Sequence, residues 1–476
     1  MLRARAGSPF FVFVLSALSC GCASSSSDAS PPNTGAPPAS GSEPSASGAT
    51  TITILGVTAD RAAVYRIRDG RGERLEALDL DASSITVVAD PFAAPDVATI
   101  AGRVVASWRN GVLRVWAKGG RSREIATGSM PNVFATSEDG ARIAFTASAD
   151  AGRVTVRVSS EERTIAEEHA RASSACPVLV GFAGPRALVS ACRADADVPS
   201  LRIIDPPGAL VVLAESARGG WSADAEGKRV FLVDRDGTAF VHDTSTNART
   251  PIDNAVAEGR IAPDGSRVVY RTSDLRLAVA KLPSDATSHA SSSSTAKTQL
   301  ADGVRGVLGF DHDFRRAFAY SVQDVTGVSP RVDLEVVSTG VVQPFIPMPT
   351  TPPDRLLDRA TGRAVGFTRD GNWAIYLADV EGEAGTLRAH PLGQGAVPDV
   401  TLAPRAIDPR LAGKHVVFAT NQAPADGLAT VRLEAIRIDD GTRTSTIDGA
   451  DARYAVTDRE IVFSTRAKGV RVEPLH

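Results

Sequence analysis

The chain has 476 residues, a formal net charge of −3 and only 5% aromatic residues. Near-balanced charge without a dense Lys/Arg block excludes a nucleic-acid binder. Past the first fifty residues about 425 remain, more than a single hydrophobic core usually serves, so two domains or a repeat architecture is expected.

Arg3 and Arg5 make a positive start, and Phe10 to Leu18 is an apolar run too short to span a bilayer. Small residues then lead into Ala17-Leu18-Ser19-Cys20-Gly21-Cys22-Ala23. This segment resembles the signal peptide of a bacterial lipoprotein, with a lipobox at either Cys20 or Cys22. The resemblance implies lipidation of that cysteine, residues 1–22 as the signal region, and a cell-envelope location. Gly21 or Ala23 follows the cysteine rather than Asp, which in a diderm host points to the outer membrane. Residues 23–50 are almost entirely Ser, Ala, Pro, Gly and Thr. They cannot bury enough apolar surface to offset the entropy of ordering, so they are expected to form a disordered tether.

From Thr51 onward one pattern recurs roughly every 40 residues. Its clearest copies are Ser137 to Phe145, Ala262 to Tyr270 and Thr368 to Tyr376. Each is a polar turn with Asp-Gly followed by an alternating apolar strand. Ten anchors can be placed, near Arg61, Gly102, Gly140, Gly184, Gly227, Gly265, Arg315, Gly371, Gly413 and Arg459. Around Gly102 and Gly140 four short strands can be marked out, joined by tight turns such as Asn110-Gly111, where positive φ is needed. Four antiparallel strands per unit predict an all-β fold, a β-propeller of seven or more blades over residues 51–476. The last unit has room for three strands, and Thr51 to Leu55 is expected to supply the fourth and close the ring. Two insertions interrupt the period: Ser284 to Thr298 reads as a loop, and Pro-rich Pro344 to Asp354 as an extended arm.

These units resemble the WD40-like repeats of the TolB type, whose core is Ser-Pro-Asp-Gly, two variable residues and an apolar strand. The resemblance implies a propeller and no particular activity. Nothing here matches the additional α/β domain of TolB, so its partners are not carried over.

Asp139, Asp264 and Asp370 recur before Gly, where Asp bonding its own backbone explains them. Asp234-Arg235-Asp236-Gly237 has the outline of a calcium loop without its later ligands, and a two-residue hairpin is the expected reading. Asp311-His312-Asp313 could orient a histidine, but a lone surface histidine is the plainer reading. No Gly-x-Ser-x-Gly elbow, Walker or dinucleotide fingerprint occurs. No catalytic, cofactor or metal residue is therefore assigned. Two readings remain: a non-catalytic, membrane-anchored scaffold binding an envelope protein or glycan, or a hydrolase or lyase whose acids converge in the central channel from several blades.

Cys176 and Cys192 are expected to form a disulfide. A turn centred on Gly184 pairs positions summing to 368 and places the two cysteines directly opposite each other. Export to an oxidising compartment lets the bridge persist.

Overall fold

The computed structural model describes residues 50–476 except 138, 149–152, 161–163, 172–177, 193–198, 206–208, 216, 284–294, 325–330, 340–353, 361, 393–397, 426–427 and 466–468. Among the described residues every regular element is a strand, and all strand pairs are antiparallel.

The strands fall into ten consecutive blades. Blade 1 shows the plan: Thr51–Val57, Ala62–Asp69, Gly72–Asp79 and Ile85–Ala89 lie side by side in chain order. The same order holds in the blades opening with Val97–Ala101, Ser129–Thr136, Leu179–Ala183, Ala217–Ala223, Val256–Ile261, Gly306–Phe310 and Gly362–Phe367. Blades 3 and 4 are joined by the pair Arg171↔Cys192. Blades 8 and 9 share the long strand Val400–Ala412, whose first half ends one blade and whose second half opens the next. Blade 10 has three strands, Ala455–Val456, Glu460–Thr465 and Gly469–Pro474.

Alternation along each second strand sends apolar residues to both faces, so each blade packs on its two neighbours. The second strands of nine blades each bury a large ring: Tyr65, Trp108, Phe145, Phe231, Tyr270, Phe318, Tyr376, Phe418 and Phe463. Separate clusters join each blade to the next; Phe231 and Val241 meet Val268 and Tyr270, for example. Ile54, Ala63 and Tyr65 of blade 1 meet Ala455 and Val462 of blade 10, so the series closes on itself. The fold is an all-β propeller.

The turn before each second strand has the expected chemistry. Asp139, Asp264 and Asp370 accept from the backbone N–H two residues on, at 3.0, 3.0 and 3.1 Å. Gly140, Gly265 and Gly371 sit at φ +72°, +68° and +70°, where Gly carries no steric penalty. Just past the turn an arginine recurs, and it reaches the next blade. Arg229, Arg267 and Arg316 donate to the carbonyls of Gly265, Phe314 and Gly371, each at 2.6 Å. Arg142 and Arg186 reach likewise to the Pro185 carbonyl and the Thr244 hydroxyl.

Three expectations are corrected. Thr51–Val57 does not complete the last blade; it pairs with Ala62–Asp69 as the inner strand of blade 1. Its own blade provides a continuous partner, and the seam to blade 10 is made by side chains instead. The hairpin at Gly184 pairs Ala183 with Arg186 and Val180 with Val189, a sum of 369 rather than 368. Its loop is the two residues Gly184-Pro185, with Gly184 at φ +54°, because a two-residue turn matches strand twist better than a three-residue one. The Asp236-Gly237 loop is longer than two residues: Val233 pairs with Ala239, and Gly237 N–H donates to Asp234 at 2.9 Å.

Candidate binding surface on the inner wall

The first strand of each blade is the inner one, paired on one side only within its blade. These strands are short and rich in Gly, Ala, Val and Thr, as close convergence demands. Among the described side chains their charged residues are few: Arg260, Arg363 and Arg410 against Glu258 and Asp408. The inner strands of a chain with net charge −3 are thus net positive. Both carboxylates are engaged. Arg271 Nε lies 2.8 Å from Glu258, and Arg410 Nη2 lies 2.7 Å from Asp408.

A cleft opens between blades 6 and 7, lined by Glu258, Arg260, Tyr270, Arg271, Val307 and Phe310 among others. Gly259 is required by the other face of the strand: a Cβ there would stand 2.7 Å from the Phe231 ring of blade 5 and 2.9 Å from Tyr270 Cβ. Phe310 is stacked on Phe314 with centroids 3.9 Å apart, which fixes the apolar wall. Tyr270 donates to Asp253 at 2.7 Å; burial first, then that carboxylate, push the phenol pKa well up. Arg260 is exposed and makes no ion pair among the described residues. Leu308, on the neighbouring inner strand, is 53% exposed. Arg363, on the inner strand of blade 8, is also exposed.

A second cleft lies on blade 1, lined by Thr51, Thr53, Arg66, Arg68, Glu73 and Ala94. Here Glu73 is buried and holds both Arg66 and Arg68 at 3.0 Å, so one carboxylate serves two guanidiniums and the cleft keeps a net positive charge. His390 Nδ1 lies 2.8 Å from Asp399, which also accepts from Tyr376. Burial alone would raise the Asp399 pKa, but hydrogen bonds from His390 and Tyr376 hold it below the usual range. The Tyr–carboxylate pair repeats at Tyr65–Glu76 and Tyr270–Asp253, so it satisfies a buried phenol in three blades and is no special site.

Cys20, Cys22 and Cys176 lie outside the described residues. Cys192 ends the second strand of blade 4, fully buried, and is disulfide-bonded. His312 is exposed, 3.4 Å from Asp313, while Asp311 is buried and caps the turn by accepting from Arg316 N–H at 3.0 Å. Among the described residues no group of three His, Cys, Asp or Glu could hold a metal, and no helix is long and apolar enough to cross a membrane. The arginines of the turns and inner wall escaped the sequence reading. The spacing Gly-x-Arg in Gly140-Arg142, Gly184-Arg186, Gly227-Arg229 and Gly265-Arg267 was the signal for those of the turns.

No protein-family model matches the chain, and no curated protein does either. Solved structures similar to it include a prolyl endopeptidase, 12% identical over 82% of this chain with a TM-score of 0.39. The chain spans 55% of that protein's length. Dihydro-heme d1 dehydrogenase NirN is 14% identical, covering 75% of this chain and 74% of its own, with a TM-score of 0.38. The β-propeller domain of the trilobed protease from Pyrococcus furiosus is 10% identical, covering 63% and 95%, with a TM-score of 0.33. At these similarities they carry no argument about activity.

Proposed function

We propose that the protein is a lipid-anchored propeller of the cell envelope that binds a protein or glycan partner without catalysis. The observation that carries this reading is the lipobox-like run around Cys20 and Cys22, followed by a Ser/Ala/Pro tether that ends where the ring begins at Thr51. A net-positive inner wall whose carboxylates are both ion-paired fits a binding role better than acid catalysis from several blades. In a diderm host the anchor is in the outer membrane.

Metabolic labelling with a fatty-acid probe in a bacterial host tests the anchor. Label and membrane association are expected in the natural chain and absent from the Cys20→Ser/Cys22→Ser variant. Persistent labelling of the variant would overturn the anchor.

Cys176 is proposed as the partner of Cys192, since Cys20 and Cys22 belong to the signal region and the bonded state of Cys192 requires a second thiol. Closing this loop stabilises by about 3 kcal/mol in a chain-entropy model. Thiol titration of the denatured, non-reduced mature protein is expected to find neither thiol free. Two free thiols would refute the bridge.

A further inference from the structure

The blade 1 cleft sets one carboxylate, Glu73, between two guanidiniums. The ladders put its polar residues on one face: Thr53 stands opposite Arg66, Thr51 opposite Arg68, and Arg68 opposite Glu73. Two residues further along each strand the same face continues as Val64 and Leu75, packed with Val105 and Trp116 of blade 2. The cleft therefore lies at the end of the seam between blades 1 and 2, bounded by the connection that carries Ala94. The Phe92 N–H donates to the Glu73 carbonyl at 2.7 Å and pins that connection. Beyond Glu73, neither guanidinium has a hydrogen-bond or ion-pair partner among the described residues, and the hydroxyls of Thr51 and Thr53 have none at all there. A buried carboxylate needs one guanidinium to offset its charge; the second leaves a positive charge held in a fixed place.

We propose that this cleft binds a phosphoryl group as a phosphate monoester, with Arg66 and Arg68 on its oxygens and Thr51 and Thr53 donating from the inner strand. Guanidinium forks and hydroxyls are donors that suit an oxyanion. A phosphate monoester brings about −1.5 to −2 charges and three acceptor oxygens, so it engages more of these donors than a carboxylate does. The cleft holds about 170 Å³, below the roughly 300–1,000 Å³ of pockets for drug-sized ligands, so it admits the phosphoryl end of a molecule and leaves the rest outside. Glu73 is the positioning residue: it fixes both guanidiniums before the anion arrives, which lowers the cost of binding. The site goes beyond the scaffold reading and does not depend on it. Thr51 lines the cleft and stands where the Ser/Ala/Pro segment ends, so a lipid head group and a soluble phosphate ester are both sources of this chemistry.

The test is calorimetric titration of the full-length chain in detergent and phosphate-free buffer with glycerol 3-phosphate, and with acetate for comparison. Binding of the phosphate ester that weakens with salt is expected, with acetate weaker by roughly tenfold. Arg68→Gln should weaken binding roughly tenfold, because one charge-assisted contact is lost. Its side chain is 70% exposed, so folding should not depend on it. Arg66→Gln should lose at least as much, and Arg66→Lys, which keeps the charge without the fork, should lose less. Thr53→Val should weaken binding by about two- to threefold. Arg471→Gln, exposed on the outermost strand of blade 10, is the charge control and should leave it unchanged. Circular dichroism confirms folding; where Arg66→Gln fails to fold, Arg68→Gln and Thr53→Val decide. A second arm compares phosphatidate with phosphatidylcholine in the same mixed micelles. Phosphatidate bound more tightly than glycerol 3-phosphate assigns the site to a lipid head group, and phosphatidate bound equally or less assigns it to a soluble ester. Acetate bound as well as the ester, no loss in Arg68→Gln, equal loss in Arg471→Gln, or no binding of either phosphate overturns the proposal, while the lipid-labelling result alone decides the anchor.

Discussion

The seams between blades 5, 6, 7 and 8 and the seam between blades 10 and 1 solve one problem in two ways. The first group is bolted: Arg229, Arg267 and Arg316 each cross to a backbone carbonyl of the next blade. A carbonyl is fixed by its own turn, so the bond needs only one side chain to be ordered. At the closing seam the only bond onto a carbonyl among the described residues is the long one from the Ser464 hydroxyl to Ile52, at 3.4 Å, and the arginine runs the other way onto side chains: Arg61 of blade 1 meets Glu460 of blade 10 at 2.6 Å and Asp81 of its own blade at 2.9 Å. The apolar contact there is also leaner, with Ala455 and Val462 in place of a large ring from blade 10. Closure thus depends more on partly exposed ion pairs, which salt screens and which are individually weak.

The largest effect that tests this contrast comes from turns that abut without any side chain. Gly184 and Gly227 press together between blades 4 and 5; a Cβ on Gly227 would stand 2.2 Å from the Ala183 carbonyl oxygen. Gly227→Ala is expected to cost about 2–5 kcal/mol, from backbone overlap plus left-handed strain. Gly303→Ala shares the strain, at φ +71°, but meets nothing within 4 Å, and should cost only about 1–2 kcal/mol. Urea unfolding of both variants measures the difference; equal losses would mean that the abutting turns contribute nothing.

Next come the bolts themselves. Arg267→Ala should destabilise by about 1.5–3 kcal/mol, because a charge-assisted bond to a fixed carbonyl is lost. Arg61→Ala should stay within about 1 kcal/mol, and the loss should shrink further in high salt. A larger loss for Arg61 would invert the comparison.

Acid should reach the two regions in different windows. His242 in blade 5 is buried, and burial, followed by nearby Arg249, lowers its pKa below the ordinary 6.5. The unfolded imidazole then takes a proton that the folded one refuses, so stability declines as pH falls below about 6.5. Burial would raise the Glu460 pKa, but hydrogen bonds from Arg61 and Thr457 outweigh it and hold the group below its ordinary 4.5. Its contribution is complete above 4.5 and is lost only as pH falls through the lower folded value. Thermal unfolding across the acid range should show the first decline vanish in His242→Phe and the second in Glu460→Gln.

Much of the ring was legible because its unit is local. Ser137 to Phe145 contains a whole turn and the strand it launches, and the Asp139 and Gly140 roles follow from backbone chemistry alone. Each anchor falls in a blade of its own, although the period alone predicted only seven or more. Closure was not legible, since Thr51–Val57 reads equally well as a lone outer strand or as an inner one; only its ladder to Ala62–Asp69 decides. The Gly184 hairpin shows the same limit. Gly-Pro marks the turn, but loop length sets register, and one residue shifts every opposed pair. The inner wall was hidden for a different reason. Arg260 looks like an ordinary surface arginine in the sequence, and only the packing of blade 6 on blade 7 brings it to the cleft beside Val307 and Phe310.

Mechanics enters through the first strand. Thr50 leads directly into Thr51–Val57, which is the innermost strand of its blade and not one at the rim. Any pull arriving along the chain at that point is borne by the ladder running from Thr51↔Arg68 to Val57↔Ala63, and by the Ser464 hydroxyl on the Ile52 carbonyl. The load therefore falls first on the inner ladder of blade 1, beside the closing seam, and reaches that seam before any of the bolted blades.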